Sequence, residues 1–192
     1  MYNVLLAGVG GQGTVLASKI IAACAIKKGE KAHTAETIGM AQRGGCVVSH
    51  VRVGDCYSPL IPKGQADVII GFEPGEAVRV LPYLKEGGTV VVSSAPIKPI
   101  TDSLSDSSYN GQEMLQILKN NAKNVIVVDG EEIIKELGSA KSLNIALLGA
   151  AAKSGQLDIS IEDVEDIIKT TLKPQFIEAN LKALSLGEKY AG

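Results

Sequence analysis

The sequence predicts an α/β fold: a doubly wound, mainly parallel, Rossmann-like sheet with an inserted β-hairpin and a C-terminal helical segment. Two observations predict it. Up to residue 130, short continuous apolar runs alternate with stretches of helical length, which is typical of parallel strands buried on both faces by crossover helices. After residue 130 only helical patterns remain. We therefore expect a single domain over residues 1–192, with the sheet core in residues 1–130 and a helical part in residues 131–192.

The first element is an apolar run at residues 2–7, which ends in glycines and predicts a buried strand. Residues 14–28 have helical length and enough apolar coverage to pack on a sheet, and Gly29 is the expected helix end. A second short strand is expected at residues 31–35. The polar, glycine-rich residues 36–45 favour a loop.

The inserted hairpin is expected directly after this loop. Residues 46–53 alternate in part between apolar and polar side chains, which predicts the first arm. A turn at Gly54 then leads to a second arm at residues 57–61. Because Pro59 and Pro62 lack a backbone N–H, we expect this second arm at an edge of the sheet.

The remaining elements follow from the same two patterns. Continuous apolar runs predict further buried strands at residues 66–72, 89–93 and 124–129. A helical stretch near residues 74–85 lies between the first two of them. Helical patterns in the last third predict helices at residues 142–153, 160–172 and 174–191, the second capped by Ser160 and Asp163.

Composition excludes several classes of function. The 19 basic and 21 acidic residues give a net charge of −2, which argues against a general nucleic-acid binder. The three cysteines, at positions 24, 46 and 56, form no CxxC pair, so the sequence predicts no disulfide framework, zinc site or four-cysteine cluster. No apolar stretch approaches the ~20 residues of a membrane span, and the N-terminus lacks signal-peptide features. We therefore expect a cytoplasmic protein that holds no metal.

The segment Gly8-Val9-Gly10-Gly11-Gln12-Gly13 matches GxGxxG and lies between the predicted first strand and first helix. Gly8 and Gly10 allow a tight turn that a ligand can approach, and Gly13 allows the helix to pack closely on the strand. Free N–H groups at the helix start favour an anion such as phosphate. The alternative is a compact strand–helix turn that binds nothing.

A second unusual segment, residues 39–45, leaves the second strand at the edge of the sheet where the glycine-rich turn lies. Arg43, followed by Gly44 and Gly45, presents a planar cation suited to a phosphate, a carboxylate or an acidic group of a partner. The alternative is a solvated arginine in a surface loop.

Two asparagines occupy positions where helical periodicity expects apolar residues, Asn144 and Asn180. Because an unpaired buried amide costs roughly 1–3 kcal/mol, each is expected to bond backbone or polar loop atoms. A satisfied core amide that ties helix to sheet is the favoured interpretation for both, and direct contact with a ligand is the alternative.

No histidine near a nucleophile, no carboxylate pair and no metal-ligand spacing appear, so we assign no catalytic residue. A nucleotide-like cleft without catalytic residues indicates a subunit. The competing hypotheses are a stand-alone Rossmann-type NAD(P)- or flavin-binding oxidoreductase and an assembly scaffold. The first is weakened because only Glu36 loosely meets the expected acidic position and no Tyr-x-x-x-Lys pair occurs.

Five ordered segments resemble the gamma subunit, or catalytic gamma domain, of the 2-oxoacid:ferredoxin (acceptor) oxidoreductases, which act on pyruvate, ketoisovalerate, 2-oxoglutarate or indolepyruvate. They are GVGGQG (8–13), GMAQRGG (39–45), the run containing SPLIP and ADVIIGFEP (58–74), SLNIALLGAAA (142–152) and FIEANLKALSLG (176–187). The resemblance implies oxidative decarboxylation of a 2-oxoacid with coenzyme A to an acyl-CoA, with electrons passing through iron–sulfur clusters to ferredoxin.

The resemblance also implies where the cofactors lie. Thiamine diphosphate, magnesium and the iron–sulfur clusters would belong to thiamine-binding and ferredoxin-like partner subunits, while this chain helps to form the coenzyme A site. By position, Gly8, Gly10, Gly11, Gln12 and Gly13 would line the cofactor-facing cleft, and Arg43, Gly44 and Gly45 would form part of the contact loop. Met40-Ala41 replaces the Tyr-Gly of many relatives, which favours an indolepyruvate-like or unassigned 2-oxoacid enzyme.

Overall fold

Six strands and seven helices make up the computed structural model, which describes residues 1–38, 44–97 and 109–191. The strands are β1 (Tyr2–Val9), β2 (Ala32–Ile38), β3 (Cys46–Val53), β4 (Ala66–Gly71), β5 (Leu84–Ser93) and β6 (Asn124–Val128). The helices are α1 (Thr14–Lys27), α2 (Pro74–Val80), α3 (Gln112–Asn121), α4 (Gly130–Leu137), α5 (Leu143–Lys153), α6 (Ile161–Thr171) and α7 (Pro174–Glu188). Within the described residues, no helix is both long enough and apolar enough to cross a bilayer.

The strands form one sheet in the order β2-β3-β1-β4-β5-β6. Strands β1, β4, β5 and β6 run parallel, whereas β3 is antiparallel to both β1 and β2. The predicted α/β class with a mainly parallel sheet is therefore confirmed. The continuous apolar runs of the central strands are explained by helices on both faces.

The predicted hairpin has the wrong second arm. Its arms are β2 and β3, paired from Ala32 with Val53 to Ile38 with Val47, and residues 57–61 form no strand. The reason is that β3 already pairs along both edges, with β1 on one side and β2 on the other. Residues 57–60 are exposed instead, and the Arg52 guanidinium holds them through the carbonyl oxygens of Ser58 and Leu60.

Helices cover the two faces of the sheet unequally. Helices α1, α4, α5, α6 and α7 share one apolar core with the side chains of one sheet face, including Val4, Leu6, Val68 and Ile70. Helices α2 and α3 cover the opposite face, where Leu5, Ile69, Val90 and Val92 are buried. This three-layer arrangement sends the connections after β1 and β4 to opposite faces of the sheet.

Several elements differ from the prediction. Strand β2 continues to Ile38, into residues predicted as a loop, and helix α2 ends at Val80 rather than near residue 85. Strand β5 begins at Leu84 rather than residue 89, because the exposed residues Lys85, Glu86 and Gly87 interrupt the apolar signal. Helices α3 and α4 were given no range in the prediction. Helix α4 carries only a weak signal. It is short, Asp129 caps its first turn by accepting from the amides of Glu131 and Glu132, and only Gly130 and Ile133 are buried. The predicted cap of α6 is confirmed, because Ser160 and Asp163 form a reciprocal capping box.

Candidate functional site

The candidate site lies where the carboxyl ends of β1 and β4 meet. These strands are parallel neighbours, and the amide of Phe72 extends their pairing by donating to the Ala7 carbonyl at 2.8 Å. The chain then turns to α1 on one face and to α2 on the other. In open α/β sheets, such a divergence creates a crevice at the carboxyl edge.

The glycine-rich turn needs its glycines for space and for conformation. Gly11 and Gly13 have φ angles of 103° and 81°, which favour glycine. A Cβ on Gly8 would lie 2.8 Å from Gln12 Oε1 and 2.9 Å from Phe72 Cβ, too close for any other residue. A Cβ on Gly13 would lie 2.5 Å from Asn144 Nδ2. The motif thus provides tight packing as well as a turn.

Several amides of the turn are already bonded within the chain. Val9 N–H donates to Gln12 Oε1 at 2.7 Å, Gly10 N–H to the Gly45 carbonyl at 2.8 Å, and Gln12 N–H to the Val9 carbonyl at 3.1 Å. Among the described residues, the amides of Gly11 and Gly13 have no such acceptor. Helix α1 also lacks a capping side chain and an acidic residue in its first turn. An anion at this end would therefore be favoured.

Gln12 connects the two strand ends that form the crevice. Its Oε1 accepts from Val9, and its Nε2 donates to the Phe72 carbonyl at 2.9 Å. Since both ends of the amide are engaged inside the protein, Gln12 shapes the crevice in this structure by holding β1 and β4 together.

The second predicted segment is only partly within the described residues. The Gly45 carbonyl accepts a hydrogen bond from the Gly10 amide, and Gly44 lines the cleft that opens beside the turn. The end of this segment therefore lies beside the glycine-rich turn, as expected. Arg43, together with residues 39–42, lies outside the described residues. Its predicted role therefore stays a prediction.

The two unusual asparagines differ in what they bind. Asn144 is buried, and its Nδ2 donates to the Gly13 carbonyl at 3.2 Å, so it ties α5 to the glycine-rich turn. Its Oδ1 is buried without a partner among the described residues. Asn180 donates to the Phe176 carbonyl of its own helix at 2.7 Å, so its bond does not tie helix to sheet.

A cleft of about 610 Å³ opens beside the turn and contains residues that the sequence analysis did not single out. Val9 and Gly44 form one part of its wall, and apolar side chains of Ile97 and Met114 form another. The polar groups that line it are Cys46, Glu73, Glu76, Arg79 and Tyr109.

Glu73 is buried at the start of α2 and has partners for both carboxylate oxygens. Oε2 accepts from the Glu76 amide at 3.0 Å, and Oε1 accepts from the Tyr109 hydroxyl at 2.5 Å. The same hydroxyl accepts from the Gly75 amide at 3.1 Å. Burial and the neighbouring carboxylate raise the pKa of Tyr109 well above its ordinary value, so the hydroxyl keeps its proton.

Glu76 is also buried, but its carboxylate is only half satisfied. Oε1 accepts from Arg79 Nη2 at 3.1 Å, whereas Oε2 is buried without a hydrogen-bond partner among the described residues. Burial raises the pKa of the Cys46 thiol to about 11, followed by the weak interaction of the thiol as a donor to the Glu76 carboxylate and by the charge of that carboxylate. Cys46 is therefore a protonated thiol at neutral pH and a poor nucleophile.

A second cleft of about 620 Å³ adjoins the first at the carboxyl ends of β5 and β6. Tyr109 belongs to both walls, and Asp129 and Glu131 add two carboxylates to the second. One sequence signal could have indicated this edge. Glu73-Pro74 directly follows a buried strand. An acidic residue before a proline favours the start of a helix, so this pair indicates a helix that begins at the end of the strand.

Comparison with known proteins gives a consistent family. The sequence model described as pyruvate ferredoxin/flavodoxin oxidoreductase matches residues 3–190. The chain is 36% identical to indolepyruvate oxidoreductase subunit IorB of Pyrococcus horikoshii, over 99% of this chain and 96% of that protein. It is 31% identical to the common gamma subunit of the pyruvate/ketoisovalerate oxidoreductases of Thermococcus kodakarensis, over 95% of this chain and 93% of the relative.

Two solved structures share the fold. Subunit PORC of the pyruvate oxidoreductase of Thermotoga maritima superimposes with a TM-score of 0.72 at 21% identity, over 98% of this chain and 96% of that one. The 2-oxoglutarate:ferredoxin oxidoreductase of Magnetococcus marinus, solved with 2-oxoglutarate, coenzyme A and succinyl-CoA bound, matches with a TM-score of 0.71 at 20% identity. This match covers 99% of the present chain and 31% of the longer one.

Proposed function

This chain belongs to the pyruvate ferredoxin/flavodoxin oxidoreductase family and is a subunit of a 2-oxoacid:ferredoxin oxidoreductase, and we propose that its glycine-rich turn, on the α1 side, helps to bind coenzyme A. The complex would convert a 2-oxoacid and coenzyme A into an acyl-CoA and carbon dioxide, with two electrons passing to ferredoxin. A stand-alone NAD(P) or flavin enzyme is not supported, because the relatives are named as oxidoreductase subunits.

The glycine-rich turn carries the proposal for this chain. Gly11 and Gly13 leave two amides without acceptors in the described part of the chain, beside the uncapped start of the 14-residue helix α1. Both features favour a phosphate, of which coenzyme A has three. We assign no catalytic residue to this chain in the reaction.

The other cofactors belong to partner subunits in this proposal. A thiamine-binding subunit would hold thiamine diphosphate and magnesium, and a ferredoxin-like subunit would hold the iron–sulfur clusters. The relatives supporting this assignment are named as subunits of larger enzymes, and one solved relative with coenzyme A bound is about three times as long as this chain.

For the substrate, we propose an aryl-substituted 2-oxoacid such as indolepyruvate. The identity to indolepyruvate oxidoreductase subunits is 36–39%, compared with 31–32% for the pyruvate/ketoisovalerate gamma subunits. The reconstituted complex should therefore reduce ferredoxin with indolepyruvate at a higher kcat/KM than with pyruvate. A preference for pyruvate would overturn this choice of substrate.

Gly10→Asp tests the proposed coenzyme A site. Unlike Gly11 and Gly13, Gly10 has no positive φ, so the backbone accepts a side chain there. An added carboxylate should repel phosphate and raise the KM for coenzyme A by about tenfold or more, because ground-state binding is weakened. Steady-state kinetics of the reconstituted complex measure this change.

Gly10→Asn is the matched control because it adds the same bulk without the charge. We expect a clearly smaller rise in KM for coenzyme A with Asn than with Asp. If the two variants behave alike, or if they impair only assembly of the complex, the turn is a packing element and the scaffold hypothesis is favoured.

A further inference from the structure

We propose that the cleft beside Glu76 is a docking site for a basic side chain, an arginine or lysine, supplied by a partner subunit of the complex. This inference rests on the proposed function, since it requires the chain to work within a multi-subunit enzyme. It assigns a role to residues that the glycine-rich turn and the coenzyme A proposal do not use.

The first observation is the half-satisfied Glu76 carboxylate. Only 8% of Glu76 is exposed, and its Oε2 has no hydrogen-bond partner among the described residues. Its one ion-pair partner, Arg79, contacts Oε1 alone and has a side chain that is 65% exposed. A buried carboxylate with an unpaired oxygen is costly, so a donor that reaches it stabilises the protein.

The second observation is the charge of this edge of the sheet. In the described residues, the walls of the two adjoining clefts carry the carboxylates of Glu73, Glu76, Asp129 and Glu131, and Arg79 is their single basic side chain. Carboxylates gathered around a cleft focus a negative potential into it and attract a cation. The phosphates of coenzyme A would be repelled here and would favour the α1 side of the turn.

The geometry also indicates what kind of cation fits. Both oxygens of Glu73 are engaged, by Tyr109 and by the Glu76 amide. The neighbouring Cys46 thiol is at most a weak donor to Glu76, whose Oε2 has no partner with hydrogen-bond geometry in the described residues, so Glu76 is the acceptor with spare capacity. A guanidinium or ammonium group carries both the charge and the N–H donors that this carboxylate lacks. The cleft, at about 610 Å³, has room for a long side chain and part of the segment that bears it.

A partner subunit is the expected source because the site adjoins the glycine-rich turn. Gly44 lines the cleft, and its neighbour Gly45 accepts a hydrogen bond from Gly10. If coenzyme A binds at the turn, the subunit that holds thiamine diphosphate has to approach this same edge for the acyl group to be transferred. A basic side chain on that subunit would then meet Glu76.

Association with the partner subunits tests the proposal. Glu76→Gln removes the charge with little change of shape, and Glu76→Arg reverses it. We expect association to weaken by about tenfold for Gln and by more for Arg, with a shallower salt dependence for Gln than for the wild type. Glu86→Gln is the matched control, because Glu86 is exposed at the start of β5, away from the cleft.

Cys46 provides a second readout that does not depend on activity. It lines the cleft, whereas Cys56 follows β3 at the opposite edge of the sheet and serves as the internal reference. Assembly should slow alkylation of Cys46 relative to Cys56 in the wild-type complex. The ratio of the Cys46 alkylation rate in the complex to that in the free chain should move toward one in Glu76→Gln.

To find the source of the cation, methylguanidinium is added to the isolated full chain and to the complex. If methylguanidinium competes with partner binding in the wild type but not in the Glu76 variants, a partner side chain is supported. If methylguanidinium only slows Cys46 alkylation in the isolated chain, the site binds a free small cation and the partner assignment is overturned. Unchanged affinity and unchanged Cys46 protection in both Glu76 variants would overturn the inference while the complex still oxidises 2-oxoacids. If the wild-type complex does not assemble, the proposed function itself fails.

Discussion

The contact between α5 and α7 is closely packed, whereas the cleft at the carboxyl edge leaves a buried polar atom without a partner in the described residues. Between the helices, Gly149 and Gly187 let the backbones approach so closely that a Cβ on either would collide with a carbonyl oxygen of the other helix, that of Leu184 or Ala146. In the cleft, by contrast, Glu76 keeps a buried oxygen without a partner in the described structure.

The two regions contribute differently to the stability of the fold and to binding. Close packing of apolar surface, with small residues where backbones meet, contributes directly to folding. A buried carboxylate that is only half satisfied reduces stability, and such groups are tolerated where a ligand or partner completes them. Substitutions in the helix pair should therefore reduce stability most, and those in the cleft less, whereas substitutions of Glu76 should alter binding more than stability.

Gly187→Ala should have the largest effect on stability. The new Cβ would meet the Ala146 carbonyl oxygen, so α7 has to move away from α5 and the core between them opens. We expect a loss of about 3 kcal/mol in the free energy of unfolding, at the upper end for overpacking. Chemical denaturation followed by circular dichroism measures it.

Ser185→Ala is the control for this substitution, since Ser185 is exposed on the same helix. Its effect should stay within about 0.5 kcal/mol. Gly187→Ala with an unchanged unfolding free energy would mean that α5 and α7 can separate at no cost, and the contrast with the cleft would be lost.

Tyr109→Phe should have an intermediate effect. The substitution leaves Glu73 Oε1 and the Gly75 amide without the hydroxyl that bridges them. Because both groups are partly withdrawn from water, we expect a loss of about 1.5 kcal/mol. The same denaturation experiment measures it, and a thermal melt checks that the variant is folded.

Tyr190→Phe is the matched comparison, because that hydroxyl also donates to a carboxylate, Glu132, but in an exposed position. We expect about 0.5 kcal/mol there, since water replaces the lost bond. Equal losses for the two variants would contradict the view that the cleft groups are the buried ones.

His50 should show the smallest effect, and only in acid. Burial lowers the pKa of His50 below its ordinary value of 6.5, and its Nδ1 accepts from the Ile61 amide at 3.1 Å, which requires an unprotonated nitrogen. The unfolded chain therefore binds a proton at a higher pH than the folded chain does. The contribution of His50 is complete above pH 6.5 and is lost as the pH falls through that value toward the lowered pKa.

Urea unfolding between about pH 7.5 and pH 5.5 measures this dependence. His50→Gln should flatten the fall in stability, whereas His33→Gln, at an exposed position of the edge strand β2, should leave it unchanged. A wild-type curve that rises with acidification over this interval would contradict the assignment.

Local sequence patterns determined a large part of this fold. Some features depend only on neighbours within a few residues and can be predicted directly from the sequence. They are the apolar runs of β1, β4, β5 and β6, the helical length of α1 and the capping box of α6. The glycine-rich turn was found because its glycines have a local conformational cause. Helix α4 was missed because it is short and mostly polar.

Tertiary structure decided the pairings and the chemistry of the cleft. Residues 57–61 were predicted as the second arm of the hairpin, yet they form no strand because β1 and β2 occupy both edges of β3. Which strand pairs with β3 cannot be decided from either segment alone. Likewise, Tyr109 meets Glu73 across 36 residues, and Gln12 meets Phe72 across 60. Secondary structure follows from local energetics, whereas a site made of distant side chains exists only once long-range packing has brought them together.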